Sequence, residues 1–238
     1  MEAHPDSVLA RLAGRVRGVV FDFDGTLARL EIDFDFMRAQ VLDLAESFGV
    51  DVAPYRGGLA LETMAAIEAI LAADGPGRAE DFRFKAHQAV EAIEIAAADR
   101  GGLFPYARPA LSALNRAGYR LAVITRNFSG AVARVFPDLA DFCPVFIPRE
   151  KTARVKPDPA HLLAAAAGLG LAPDQVLMVG DHPTDVETGR RAGSPTAGVA
   201  SGRWSREGLI AAGADLVFDD VADLARRLLD GLPLNLAD

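Results

Sequence analysis

Short runs of β-branched and aromatic residues recur along this chain and alternate with longer stretches rich in Ala and Leu. Continuous apolar runs of this length are typical of strands that are buried on both faces, as in a parallel sheet covered by helices. The predicted strands are residues 18–23, 120–125, 142–147, 176–180, 196–200 and 215–218.

Helix-start signals lie between several of the predicted strands. Ser129 can cap a helix, and Asp158 is followed by Pro159, a favoured pair for an N-cap and a first helical position. Asp185 can begin a further helix that ends near Gly193. This alternation of strands and helices predicts an α/β fold with a Rossmann-like, three-layer α/β/α core and a parallel sheet.

A helical insertion interrupts this alternation after the first strand. Between Leu27 and Leu103 the pattern shows no convincing strand, and apolar residues recur at helical spacing in three segments separated by turn-rich breaks. The helical positions are Met37, Val41, Leu44 and Phe48, then Leu61, Met64, Ile67 and Leu71, then Phe84, Val90, Ile93 and Ala97. We therefore expect a core domain of residues 1–27 and 104–238 and a helical cap domain of residues 28–103.

Charge and composition narrow the classes of function. The chain of 238 residues has a formal net charge of −8, which repels a phosphate backbone, so nucleic acid is not an expected partner. Glu2 and Asp6 precede any apolar run, and no run approaches the roughly 18 apolar residues of a membrane span. The single cysteine, Cys143, lies in an apolar stretch that is typical of a buried thiol in a reducing compartment. We expect a cytoplasmic protein without a membrane partner, either a monomer or a homodimer.

The first predicted strand ends in two aspartates, in the segment Asp22-Phe23-Asp24-Gly25. Ligands of open α/β sheets bind beyond the carboxyl ends of the strands. Side chains alternate along a strand, so Asp22 and Asp24 can point to one face and converge on one cation or one substrate. The competing interpretation is a solvated strand end with a glycine turn.

Two more aspartates follow the predicted strand that ends at Gly180. Carboxylates from separate strand ends suit Mg²⁺, a hard cation that prefers oxygen ligands. Asp181 is the expected direct ligand, whereas Asp185 is either a further or water-mediated ligand or the N-cap of the next helix. His182 has no second His or Cys at ligand spacing, so zinc is not expected.

Two weaker signals lie between these segments. A predicted strand ends at Thr125 and is followed by Arg126 and Asn127, so that a hydroxyl and the amides of the next helix can bind phosphoryl oxygens. Lys156 precedes a rigid proline turn, and its ammonium can neutralise a phosphate and clustered aspartates. Taken alone, Thr125 is more often a helix cap and Lys156 a surface lysine.

In this order, the four segments resemble the signature of the haloacid dehalogenase superfamily over about residues 16–225. Asp22 and Asp24 lie in the first motif, Thr125 is the second, Lys156 the third, and 180–185 the fourth. The resemblance implies that Asp22 attacks phosphorus and becomes an aspartyl phosphate. It implies that Asp24 protonates the leaving alkoxide and then deprotonates water.

The resemblance also implies a phosphate site and a metal site. Thr125 and Lys156 would hold the phosphoryl group, and we expect Arg126 and Asn127 to contribute to the same site. Asp181 would help to bind Mg²⁺, with Asp22, Asp24 and Asp185 as further metal-site residues. In the family, the residue at the position of Asp24 binds the metal through its backbone carbonyl.

The place of the insertion, between the first and second motifs, is similar to that of the C1-capped subgroup, which includes phosphoglycolate phosphatases and β-phosphoglucomutases. The resemblance therefore implies a Mg²⁺-dependent phosphatase of a small phosphorylated metabolite, with a cap that excludes water and selects the leaving group. Asp24 argues against dehalogenation, because a halide needs no protonation. A phosphomutase of the same superfamily and a non-catalytic phospho-ligand-binding protein stay open as alternatives.

The chain departs from the commonest capped pattern at two places. Residues 27–30 read Leu-Ala-Arg-Leu where an Asp-Ser pair is usual, and His182-Pro183 stands where serine usually follows the fourth-motif aspartate. The first departure leaves the substrate open, phosphoglycolate included. We expect the second to alter detail rather than the class of reaction.

Overall fold

The computed structural model describes residues 14–231. Glu2 and Asp6, the charged residues that precede the first apolar run, lie outside the described part. Two compact units make up the described chain. One is Glu31–Arg100, and the other contains the chain before and after it. The assignment of residues 28–103 as a cap domain stays a prediction.

The larger unit is built on a sheet of six parallel strands, so the predicted fold class is confirmed. Numbered along the chain, the described strands are β1 (Gly18–Phe21), β2 (Ala28–Arg29), β3 (Gly102–Leu103), β4 (Arg120–Ile124), β5 (Val145–Ile147), β6 (Val176–Gly180), β7 (Thr196–Val199) and β8 (Leu216–Phe218). The order in the large sheet is β5-β4-β1-β6-β7-β8. All six predicted strands occur, although β5 begins later than expected.

The described helices cover most of the segments between the strands. In the smaller unit they are α1 (Phe34–Ser47), α2 (Ala60–Ala73) and α3 (Pro76–Arg100). In the larger unit they are α4 (Ala107–Arg116), α5 (Ser129–Val135), α6 (Leu139–Phe142), α7 (Pro159–Gly168), α8 (Pro183–Ala192), α9 (Arg206–Ala211) and α10 (Val221–Gly231). Short 3₁₀ helices are Ala53–Tyr55, Arg149–Lys151 and Pro173–Gln175. Helix α6 occupies the start of the predicted strand 142–147, which is why that strand is shorter than expected.

The core lies on both faces of the large sheet because successive strand residues point to opposite sides. Phe21 packs in a cluster with Leu111 of α4 and Leu224 of α10, whereas Val20 packs on the other face with Leu162 of α7. All of these side chains are buried. The three predicted layers are therefore present, with helices on each face of a sheet whose strands are mostly apolar.

Local capping agrees with the sequence at one helix and differs at another. Asp158 caps α7 with Pro159 in the first turn, as predicted, and its carboxylate accepts a hydrogen bond from the Ala160 amide at 2.9 Å. The prediction that Ser129 caps α5 is wrong. Ser129 is the first residue of that helix, and its amide donates to Glu150 Oε1 at 3.0 Å. An acceptor supplied from elsewhere in the chain thus replaces the local cap.

The start of α8 also differs from the expectation. The helix begins at Pro183 with His182 as its N-cap, and Asp185 is its third residue. The Asp185 carboxylate accepts from the His182 amide at 3.1 Å, so it closes the cap from inside the helix. The predicted end at Gly193 is confirmed, since this glycine has a φ of 75°.

The smaller unit contains the three helices that the periodicity predicts. In α3, however, Phe84 is 62% exposed, and Phe82 is buried in its place. Phe82 meets Phe48 edge to face, with 5.6 Å between ring centroids. The sequence offers two phenylalanines two residues apart, which lie on nearly opposite sides of a helix, and only the packing decides which is buried.

Two further features complete the described fold. Strands β2 and β3 pair in an antiparallel ribbon, with Ala28 opposite Leu103. The expectation of no strand between residues 27 and 103 is therefore wrong, because a strand of two residues is too short to show a periodic pattern. Among the described residues, no helix has both the length and the apolar character that crossing a membrane requires.

We expect Leu111→Ala to lower the free energy of unfolding of the larger unit by about 2–5 kcal/mol, because it leaves a cavity among buried side chains. Leu163→Ala is the matched control, since Leu163 also lies on a helix of this unit but is 40% exposed. The free energy of unfolding of this control should fall by less than about 1 kcal/mol. Urea unfolding followed by circular dichroism measures both, and equal losses would contradict the assignment of the core.

Candidate active site

The site lies at the carboxyl ends of the central strands of the large sheet. From β1, the chain adds β4 and β5 on one side and β6, β7 and β8 on the other, so the direction of strand addition changes between β1 and β6. Ligands of open α/β sheets bind at such a change. Asp22 directly follows β1, and its amide donates to the Val179 carbonyl of β6 at 2.8 Å. Asp181 follows β6, so both aspartates emerge at this point.

Three buried carboxylates meet there. Among the described residues, Asp22, Asp181 and Asp185 form a group in which one carboxylate oxygen from each lies within 4.8 Å of the others. The group contains neither histidine nor cysteine, which fits a hard cation better than zinc. The structure thus brings together residues from the first and fourth predicted motifs.

Burial and mutual repulsion shift the protonation of this group. The pKa of Asp181 is raised to about 7, first by burial and then by the charges of Asp22 and Asp185. Burial also raises the pKa of Asp185 to about 6, against the attraction of Lys156. Three clustered carboxylates favour a proton or a cation among them.

Lys156 supplies the positive charge of the site. Its Nζ lies 2.6 Å from Asp22 Oδ1 and 2.6 Å from Asp185 Oδ1. The side chain is almost completely buried. Burial alone would lower the pKa of Lys156, but the two carboxylates outweigh it and raise the pKa above its ordinary value. The lysine is therefore charged and is held between two aspartates.

Glycines allow the backbone to approach the carboxylates closely. A Cβ at Gly180 would overlap the Asp185 carboxylate, and a Cβ at Gly202 would overlap that of Asp181. Gly202 lies in the loop after β7, and the next amide, that of Arg203, donates to Asp181 Oδ2 at 3.2 Å. Sequence reasoning missed this loop, although it follows a predicted strand as the first, second and fourth motifs do.

Asp24 is not part of the three-carboxylate group and instead contacts the second motif. Its Oδ2 accepts a hydrogen bond from Asn127 Nδ2 at 2.9 Å. The Asn127 amide group is itself fixed, because its Oδ1 accepts from the Phe128 backbone N–H at 2.7 Å. Gly25 adopts a φ of 80°, which turns the chain directly after Asp24. Asp22 and Asp24 thus have different partners.

The second and third motifs are joined by hydrogen bonds. Thr125 is buried, and its Oγ1 accepts a hydrogen bond from the backbone N–H of Asn127 at 3.0 Å. Arg126 Nη1 donates to the Lys156 carbonyl at 2.8 Å. His161, which sequence reasoning also missed, accepts from the Lys156 amide through Nδ1 at 3.3 Å. The expected roles of Thr125, Arg126, Asn127 and Lys156 in binding phosphate stay predictions.

The fold and the site together define a class of protein: an α/β protein with a buried carboxylate cluster at the carboxyl end of a parallel sheet. Comparison with known families gives the same answer. A family model described as haloacid dehalogenase-like hydrolase matches residues 16–193. The chain belongs to the haloacid dehalogenase-like hydrolases.

Individual relatives support this assignment. The chain is 33% identical over 220 residues to a phosphoglycolate phosphatase of Rhodospirillum rubrum, in an alignment that covers 87% of this chain and 89% of the relative. It is 34% identical over 133 residues to a phosphoglycolate phosphatase of Salmonella choleraesuis, which covers 55% and 52% of the two chains. A structure from Bacteroides fragilis, described as a haloacid dehalogenase-like hydrolase, is 25% identical with a TM-score of 0.63 and covers 88% of this chain and 99% of its own.

The raised pKa of Asp181 gives a prediction for the protein in a chelator. The folded state binds the proton of the Asp181 carboxyl more tightly than the unfolded chain does. Its contribution to the free energy of unfolding is therefore complete below about pH 4 and is lost as the pH rises through about 7. Asp181→Asn mimics the neutral acid and should be more stable than wild type at about pH 8, by up to a few kcal/mol.

The difference should shrink to well under about 1 kcal/mol near pH 4, where Asp181 is neutral in the folded state and about half neutral in the unfolded chain. Chemical unfolding across this pH range, with chelator throughout, measures the difference. If the asparagine variant is less stable than wild type at the higher pH, the ionised Asp181 carboxylate does not destabilise the folded protein, and the prediction is wrong.

Proposed function

We propose that this protein is a Mg²⁺-dependent phosphatase that hydrolyses a small phosphorylated metabolite through an aspartyl-phosphate intermediate on Asp22. The observation that carries the proposal is the contact of Asp22 with the Lys156 ammonium, beside two more buried carboxylates. Such a site presents an anionic nucleophile next to the charges that a phosphoryl group requires. The Rhodospirillum rubrum relative is called a phosphoglycolate phosphatase, so phosphoglycolate is the first compound to test.

The carboxylate cluster fits Mg²⁺. Asp22 and Asp181 would hold the ion, together with the backbone carbonyl of Asp24. Both oxygens of Asp185 already accept hydrogen bonds, from Lys156 at 2.6 Å and from the His182 amide at 3.1 Å. Asp185 therefore serves chiefly to hold Lys156, with any contribution to the metal as a second task. Mg²⁺ held there would supply positive charge that offsets the carboxylate and phosphoryl charges.

The protein's own side chains divide the remaining work. Asp22 attacks phosphorus, the P–O bond to the leaving group breaks, and the aspartyl phosphate forms. Lys156 donates hydrogen bonds to Asp22 and stabilises negative charge on the phosphoryl oxygens. Thr125, with Arg126 and Asn127 beside it, forms the opposite side of the phosphate site in this proposal. Water then cleaves the intermediate and releases inorganic phosphate.

Asp24 is the acid and base of both steps. Asn127 Nδ2 donates to its Oδ2, so the proton of the neutral acid belongs on Oδ1. From Oδ1 it passes to the leaving oxygen, and in the second step the ionised carboxylate accepts a proton from the attacking water. The first step thus prepares Asp24 for the second.

The helical unit Glu31–Arg100 is, in this proposal, the cap that selects the leaving group. The groups assigned to the phosphoryl transfer all come from the larger unit. Replacing cap residues should therefore change the ranking of substrates more than the rate with a generic aryl phosphate.

The first test is the release of phosphate from a panel of phosphorylated metabolites, phosphoglycolate included, and from p-nitrophenyl phosphate. We expect wild type to release phosphate with Mg²⁺ and to stop in a chelator. Asp22→Asn should fall below about one thousandth of the wild-type rate, because it removes the nucleophile.

Asp174→Asn is the matched control, because Asp174 forms an exposed ion pair with Arg15 away from the site. It should retain full activity. Unchanged activity of Asp22→Asn, or of wild type after exhaustive chelation, would refute the mechanism. Interconversion of phosphate isomers without net release would identify a phosphomutase, and binding without either reaction would identify a phospho-ligand-binding protein.

The role of Asp24 can be separated by the choice of leaving group. Asp24→Asn should slow hydrolysis of an alkyl phosphate by roughly 10²–10⁴-fold, because an alkoxide needs the proton. The loss should be smaller for p-nitrophenyl phosphate, whose leaving group needs little protonation. The measurement is the first turnover of both substrates by stopped flow. Equal losses for the two leaving groups would contradict the assignment of Asp24 as the general acid.

A further inference from the structure

Lys156 lies in a turn, where neither a helix nor a sheet supplies partners for its backbone. Its side chain nevertheless meets two carboxylates at 2.6 Å each, which requires a fixed backbone position. Both backbone polar groups are in fact bound by side chains. The amide donates to His161 Nδ1 at 3.3 Å, and the carbonyl accepts from Arg126 Nη1 at 2.8 Å.

His161 can act in this way only as a neutral imidazole of one tautomer. Because the Lys156 amide donates to Nδ1, the ring proton must be on Nε2. Nε2 lies 2.9 Å from the Ile147 carbonyl, to which it donates. The ring is completely buried, and burial lowers the pKa of His161 to about 4, which agrees with a neutral ring.

The same hydrogen bonds connect the second and third motifs. The Ile147 carbonyl also accepts from the Thr125 amide, at 3.3 Å. A continuous path therefore runs from Thr125 through Ile147 and His161 to Lys156. Thr125 and Lys156 are assigned to opposite sides of the phosphoryl group, and the buried His161 ring therefore fixes their relative position.

We propose that His161 is a positioning residue for the phosphoryl transfer, which, together with Arg126, holds the Lys156 backbone so that the ammonium meets Asp22 and the phosphoryl oxygens. This inference rests on the proposed function. It assigns Arg126 an action through Lys156 instead of a direct contact with phosphate. Neither residue touches the reacting atoms, so the effect on rate comes from the placement of Lys156.

Two conservative variants separate the two hydrogen bonds of the ring. His161→Asn places an acceptor near the position of Nδ1 and can keep the bond to the Lys156 amide. His161→Gln reaches the position of Nε2 and can keep the bond to the Ile147 carbonyl, whereas His161→Leu keeps neither. Leu162→Ala is the control for general loosening, since Leu162 is a buried apolar neighbour on the same helix.

The readouts are kcat with p-nitrophenyl phosphate and Mg²⁺, at a temperature where every variant is folded, and hydrogen exchange of residues 152–158 by mass spectrometry. We expect His161→Leu and His161→Gln to lower kcat by roughly 10–100-fold and to expose the loop to exchange. His161→Asn should stay within roughly threefold of wild type and keep the loop protected. Leu162→Ala should lower the melting temperature without this change in kcat.

A fully active His161→Leu, or an asparagine variant no better than the glutamine one, would overturn the inference while leaving the phosphatase assignment intact. An inactive wild-type protein would instead refute the proposed function. In that case the exchange data still decide whether His161 holds the loop, and unchanged protection in His161→Leu would overturn that part as well.

Discussion

The ammonium of Lys156 lies buried between two of three clustered carboxylates, and the site is organised around this imbalance of charge. One lysine cannot offset three ionised aspartates that offer oxygens within 4.8 Å of one another. The protein therefore favours protons on the cluster, as the raised pKa values of Asp181 and Asp185 show. A divalent cation relieves the same repulsion, so the electrostatic cost of crowding three carboxylates favours binding of a cation and, with it, of an anionic substrate.

The sheet makes this crowding of carboxylates possible because it fixes the backbone positions of the aspartates at the strand ends. Strand β1 lies between β4 and β6, so segments far apart in sequence end at one edge. Glycines beside Asp181 and Asp185 leave room for these carboxylates, because a Cβ at either glycine would overlap one of them. Lys156 comes from a turn instead of a strand, which explains why side chains, those of His161 and Arg126, hold its backbone. A charge on irregular backbone requires support that a charge on a strand end receives from the sheet.

The sequence predicted what depends on local pattern and missed what depends on packing. Asp22 and Asp181 follow apolar runs, and a strand end is a signal that neighbouring residues carry. No local sequence pattern marked His161, because its proposed function arises from contacts with Lys156 and with the Ile147 carbonyl. Ser129 failed as a cap for the same reason, since Glu150 supplies the acceptor. A repeated strand-end pattern after β7 could have pointed to the loop of Gly202.

The division between reaction and selectivity follows from the chemistry of the transfer. The groups assigned to the site act on the phosphoryl group, except Asp24, which accepts a proton from the attacking water and donates one to the leaving oxygen. That oxygen is common to all phosphate monoesters, so these groups distinguish one monoester from another only weakly. Selectivity has to come from contacts with the rest of the leaving group, made by residues that can change without disturbing the charge balance of Lys156 and its aspartates. A relative named for one substrate therefore informs on the reaction more strongly than on the substrate itself, and the departure at residues 27–30 is compatible with the same chemistry on a different monoester.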